Sequence, residues 1–124
     1  MFKTLLHGDF KAFQPNQKWC VDFTYLTTQM NKKVYNCSII DLFDRSIVAS
    51  VTGEFIDSNL AISTVKKALL KVKNPQNIIL HSDQGSQFTS KAFTNFCKEN
   101  NILQSMSRAG KPTDNAPMER FLVS

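Results

Sequence analysis

The chain has 124 residues, 42% of them hydrophobic and ten of them Phe, with a net charge of +5, enough for one domain with a real core. No run approaches the ~20 apolar residues of a membrane helix, and the first ten residues are too polar for a signal peptide, so a soluble, cytoplasmic protein without membrane partners is expected. Cys20, Cys37 and Cys97 are odd in number and far apart, which argues against a structural zinc site and a disulfide framework, while the basic charge suits nucleic acid and an ordinary soluble surface equally.

The first predicted element is WCVDFTYL at 19–26, rich in the aromatic and β-branched residues of strands. Alternation puts Trp19, Val21, Phe23 and Tyr25 on one face and Cys20, Asp22, Thr24 and Leu26 on the other, with Asp22 the misfit among apolar neighbours. Strands at 34–42 and 47–52 follow, separated by the turn-like Phe43-Asp44-Arg45, and such short connections imply an antiparallel meander. The period then changes. Ala61, Val65, Ala68, Leu69 and Val72 share one helical face, Asp57 or Ser58 can cap the start, and Asn74-Pro75 is the expected stop. Lys66, Lys67, Lys71 and Lys73 lie off that face, where solvation is the plain explanation.

Ile78-Ile79-Leu80 is a short buried strand reached by a helical crossover, so it is expected to join the sheet in parallel. A loop with Asp83 and Gly85 comes next, then a helix from near Ser90 with Phe93, Phe96 and Cys97 inward, and a fifth strand at 102–106. A basic loop follows, and a last helix begins at Ala116, with Pro117 acceptable in its first turn. The order βββαβαβα makes an α/β fold with a mixed five-stranded sheet flanked by helices.

Three carboxylates need a reason: Asp22 within a strand, Asp83 at the tip of another, and Glu119 on the last helix. An ionised carboxylate near a sheet is costly unless compensated, and a divalent cation is one such partner. Singly, each is more often hydrogen-bonded structure than ligand. Three on different elements that can converge suit Mg²⁺, a hard ion that takes oxygen ligands together with waters and substrate phosphates.

The motifs WxxDxTY (Trp19, Asp22, Thr24, Tyr25), DLFDRxIV (41–48), HSDQGSQF (81–88) and SMSRxGKPxDNAPMERF (105–121) together resemble the catalytic core of bacterial insertion-sequence transposases related to retroviral integrases. The 35 residues between Asp83 and Glu119 (119 − 83 − 1) match that family's spacing. The resemblance implies a ribonuclease H-like fold, with Asp22, Asp83 and Glu119 both catalytic and metal-ligating. It further implies two Mg²⁺ or Mn²⁺ ions with substrate, and cleavage and strand transfer of transposon DNA at transposon ends and target. Asp41 and Asp44 match non-catalytic positions of the family and stay outside the site.

For the neighbours two readings stand side by side. His81 either orients the loop or touches DNA, with a hydrogen-bonded structural role the plainer account. Arg108 and Lys111 are candidate contacts to DNA phosphates or solvated loop charges, and Asn115, with Asp114, either caps the last helix or contacts substrate. Residues 1–18 are expected to be an N-terminal extension and 19–124 the core, shortened after the third acid. That leaves an inactive core, retaining only DNA binding or self-association as a homodimer, as the competing expectation. A ribonuclease H-like nuclease acting on RNA–DNA hybrids is disfavoured by the WxxDxTY and DNAPMERF motifs.

Overall fold

The computed structural model describes residues 11–73, 75 and 77–107. Five strands form one mixed sheet: β1 (Lys18–Thr27), β2 (Lys33–Asp41), β3 (Ile47–Gly53), β4 (Ile78–Ser82) and β5 (Ile102–Met106). Their spatial order is β3-β2-β1-β4-β5, with β1/β2 and β2/β3 antiparallel and β1/β4 and β4/β5 parallel. The meander and the parallel entry of the fourth strand are therefore as the sequence implies. The β1–β2 connection is closed by Thr28 N–H donating to Lys32 O and Asn31 N–H to Thr28 O, both 2.9 Å, with Asn31 at φ 58°, a left-handed conformation that Asn tolerates.

The helices are α1 (Ser58–Leu69), α2 (Ser86–Thr89) and α3 (Lys91–Glu99). Asp57 caps α1, its Oδ1 accepting from Leu60 N at 2.9 Å, and Ser90 caps α3 by accepting from Phe93 N at 3.2 Å. The two helix starts touch through Ser58 Oγ and Ser90 Oγ, 2.6 Å apart. Helix α1 stops at Leu69, short of the expected Asn74-Pro75. Lys71 N–H reaches back only to Ala68 O, and Val72 N–H to Leu69 O, each at 3.1 Å, so three-residue bonds tighten the last turn and the chain leaves the helix there. The four-residue α2 was not expected: one turn has too little periodicity to announce itself.

One sheet face packs against α1, α2 and α3 through a core that includes Trp19, Val21, Ile39, Leu80, Phe88 and Phe93. On the other face a smaller apolar cluster joins Ala12, Cys20, Ile40 and Leu42, with Ile79 packed against it. The β1 alternation thus divides as expected, with Trp19 and Val21 to the helices and Cys20 to the opposite side. Among the described residues no helix is long and apolar enough to cross a membrane.

All three cysteines are buried, and none is in a disulfide. Burial pushes the Cys37 thiol up to about 12, with a hydrogen bond to Thr64 acting the other way and the charge of Asp22 adding to the rise; burial alone takes Cys97 to about 12. Both thiols ionise in the unfolded chain near 9.0 and stay protonated in the folded one until about 12. Unfolded chains therefore lose protons first, and stability, full below pH 9, is expected to fall steadily toward pH 12. Urea titrations at increasing pH check this. A Cys37→Ala/Cys97→Ala variant that keeps the whole alkaline loss would contradict it.

Candidate functional site

Asp22 lies in the middle of β1 and is half-buried, and its Oδ1 accepts from Phe23 N at 2.8 Å. Asp83 is the first residue beyond β4, also half-buried, and its Oδ1 accepts from Gly85 N at 2.7 Å in a tight Asx turn. Ser82 Oγ donates to Asp83 O at 2.9 Å. The strands leading to these two acids are parallel neighbours. Lys18 pairs with Ile79 and Cys20 with His81 in the parallel β1/β4 ladder, which ends there; Asp22 lies two residues beyond it on β1, and Asp83 two residues beyond it, just past the end of β4. Cys20 and Ile79 meet in the cluster away from the helices, and alternation along β1 puts Asp22 on that face.

The loop after β4 is held from below. Phe88, fully buried on α2, packs its ring 5.5 Å from Phe23 of β1 and 5.5 Å from Phe93 of α3. Its carbonyl accepts from Gln104 Nε2 on β5 at 3.0 Å. One aromatic plug therefore ties the Asp83 loop to the strand of Asp22 and to the edge of the sheet. Gly85 closes the turn at close quarters, because a Cβ there would stand 2.9 Å from Asp83 Oδ1 and 2.5 Å from Gln87 Nε2. The Gln87 side chain can swing away, but the carboxylate oxygen is held by the turn itself. Gly85→Ala is expected to leave the fold intact and to turn the Asp83 carboxylate, weakening divalent-ion affinity about tenfold or more. Isothermal titration with Mn²⁺ measures this, and unchanged affinity would count against the tight fit.

The other acids build turns. Asp41 is buried, its Oδ2 accepting from Asn16 N at 2.8 Å and its Oδ1 from Phe43 N at 2.9 Å. Asp44 accepts from Ser46 Oγ at 2.7 Å and Ser46 N at 3.0 Å, bonds that hold its carboxyl below the usual range. His81 is fully buried, with Nδ1 2.9 Å from Ser105 Oγ, its partner in the β4/β5 ladder. Of the two readings of His81, full burial and the bond to Ser105 agree with the hydrogen-bonded structural role and not with a direct DNA contact. Glu119, Arg108, Lys111 and Asn115 lie outside the described residues, and so does the last helix. Among the described residues, no three His, Cys, Asp or Glu side chains gather to hold a metal ion. Asp22 and Asp83, both half-buried oxygen donors on neighbouring strands, are the residue type that suits a Mg²⁺ ion, which takes one or two carboxylates and completes its shell from waters and phosphates.

Compared with known proteins, residues 12–112 match the integrase core domain. The chain belongs to the integrase core domain family. Transposase InsF of insertion sequence IS3A from Escherichia coli K12 is 37% identical over 122 residues, covering 98% of this chain and 42% of InsF. Transposase InsF of insertion sequence IS3fB from the same strain is also 37% identical over 122 residues. This integrase core thus spans about two-fifths of the length of the curated relatives it matches. Solved structures agree on the fold. The simian T-cell lymphotropic virus intasome in complex with the PP2A regulatory subunit B56 gamma aligns with TM-score 0.82 at 22% identity, over 91% of this chain and 39% of that one. The HTLV-2 integrase catalytic core domain in complex with magnesium aligns with TM-score 0.72 at 22% identity, over 88% of this chain and 66% of that one. The ribonuclease H-like architecture expected from the motifs is the one observed.

Proposed function

We propose that this integrase core cleaves DNA phosphodiesters and joins strands at the ends of a mobile element, using Asp22 and Asp83 to hold divalent metal. What supports this reading is that Asp22 on β1 and Asp83, one residue past β4, are carried by neighbouring parallel strands, whose register continued beyond Cys20 and His81 would bring the two acids opposite each other. Its family membership and its transposase relatives point the same way. Two adjacent carboxylates would repel a phosphodiester, so DNA approaches this face only when a cation offsets their charge. Mg²⁺ or Mn²⁺, when bound, supplies Lewis acidity to activate an attacking oxygen and to stabilise the leaving one, in the manner of two-ion phosphoryl-transfer sites.

The rest falls to the chain. Phe23 N–H and Gly85 N–H each fix one oxygen of an acid, so the carboxylates are oriented before any ligand arrives. Glu119 is proposed as the third acid, and Arg108, Lys111 and Asn115 as contacts to DNA. A homodimer is the proposed assembly, supported by the HTLV-2 core, which is described in dimeric and trimeric forms. The reading is tested by Mn²⁺-dependent nicking of end-labelled duplex DNA by the parent chain, with Asp22→Asn as control. Metal-dependent nicking that Asp22→Asn lacks is the expected result. DNA binding without nicking at any Mn²⁺ or Mg²⁺ concentration would instead leave an inactive core that only binds.

A further inference from the structure

The face that carries Asp22 changes character partway along the sheet. Toward the start of β1 it is apolar, through Cys20, Ile40 and Ile79. For the next two rows it is polar, before Leu26 and Val34 make it apolar again. One row across the strands reads Asp22, Ser38, Ser50, and the next reads Thr24, Asn36, Thr52. The opposite face of the same strands stays apolar throughout, with Val21, Phe23, Cys37, Ile39 and Val51 in or against the main core. A sheet face that merely meets water is commonly polar, but it mixes long charged side chains among its residues. Here all but Asp22 are short and neutral, and the β2 and β3 members bond to one another.

That bonding has a direction. Ser38 has a single hydroxyl hydrogen and donates it to Asn36 Oδ1. Asn36 Nδ2 donates in turn to Ser50 Oγ at 2.8 Å and, more weakly, to Thr52 Oγ1 at 3.5 Å. Ser38 Oγ lies 3.2 Å from Ser50 Oγ, so the Ser50 hydrogen is left either to close back on Ser38 or to point outward. Thr52, exposed, keeps its own hydrogen for a partner outside the network. The relay therefore runs from the buried Ser38 toward the sheet edge and ends in hydroxyl donors on β3. At that edge stands a cation: Lys67 of α1 donates from Nζ to Ser50 O at 3.1 Å. Hydroxyl donors beside an ammonium, with no acid nearer than Asp22 in these rows, complement an anionic oxygen-rich chain rather than an apolar or cationic partner.

We propose that this face is the track along which a duplex DNA backbone reaches Asp22, with the Ser50 and Thr52 hydroxyls donating to phosphodiester oxygens and Lys67 neutralising charge at the sheet edge. The track rests on the reading of this chain as a DNA-processing core. It adds a substrate path to that reading, on residues that are not metal ligands. Because the donors are pre-bonded and on strands, they meet the backbone without being ordered first.

Fluorescence anisotropy with a labelled DNA duplex, with Ca²⁺ present to offset the charge of the acid pair, tests it on the 124-residue chain. Ser50→Ala/Thr52→Val is expected to weaken binding roughly tenfold or more. Lys67→Gln is expected to lower the salt dependence by about one counterion. Thr52→Val alone, exposed and isosteric, guards against misfolding and is expected to retain the parent's melting temperature while losing several-fold in affinity. Binding by all three variants that equals the parent overturns the track, as does a parent chain that does not bind duplex DNA. A shift in the monomer–dimer equilibrium with DNA affinity unchanged also overturns it, by making this face a contact between copies. The reaction fails separately: weakened binding in the variants, with no nicking by the parent, removes the proposed chemistry and leaves the track standing.

Discussion

Asp22→Asn and Asp83→Asn are each expected to cut metal-dependent nicking by roughly a hundredfold or more, without loss of the fold. The amide keeps an oxygen for the existing bond, from Phe23 N–H in one case and from Gly85 N–H in the other, so local geometry is preserved. What disappears is one of two negative charges carried by neighbouring parallel strands. Without metal, that loss relieves repulsion, and each variant is expected to melt slightly higher than the parent, by a stability gain of order 1 kcal/mol. With Mn²⁺ the order reverses. The parent gains stability by binding the ion, and the variants gain much less. Thermal melts with and without Mn²⁺ measure both halves of this crossing. A variant that nicks as well as the parent, or that melts lower than it in the absence of metal, would break the link drawn between the acid pair and cation binding.

Phe88→Ala is expected to cost about 3–5 kcal/mol, the usual range for emptying a large buried aromatic site. Phe88 has no exposed area, and it touches rings on both β1 and α3, so no single neighbour can collapse to fill the gap. Against a total stability of about 5–15 kcal/mol this is a severe loss, worth a fall of roughly 10–20 °C in melting temperature. The effect reaches the site, since the plug lies five residues beyond Asp83 and its carbonyl is tied to Gln104. Well below its melting temperature, Phe88→Ala is therefore expected to bind Mn²⁺ more weakly than the parent. Phe88→Leu retains most of the volume and should recover most of both losses. A drop of less than 1 kcal/mol in Phe88→Ala would mean that the loop is anchored elsewhere.

Much of this was legible before any coordinates. Strand alternation singled out Asp22 because one acid broke a run of aromatic and β-branched residues, and a buried strand ending at a charged residue singled out Asp83. That the strands leading to these two acids are parallel neighbours needed the sheet register, which no local pattern encodes. The end of α1 was misplaced because Lys71, Val72 and Lys73 continue an amphipathic pattern after the backbone has left the helix. His81 was ambiguous for a related reason: only pairing with Cys20 on one side and Ser105 on the other shows it enclosed by the sheet. The polar rows escaped notice entirely. Ser38, Asn36, Ser50 and Thr52 are unremarkable one by one and become a network only when β2 is laid against β3.

The sheet order also sets the order in which the acids meet. The β1–β2–β3 meander joins near neighbours in sequence through short turns and can form early. Pairing of β1 with β4 must wait for the α1 crossover, and Asp83 lies 61 positions beyond Asp22 (83 − 22). A chain emerging from the ribosome thus shows a finished Asp22 strand well before its partner acid exists. Under the proposed function, assembly of the acid pair is thereby tied to completion of the most non-local strand pairing in the sheet.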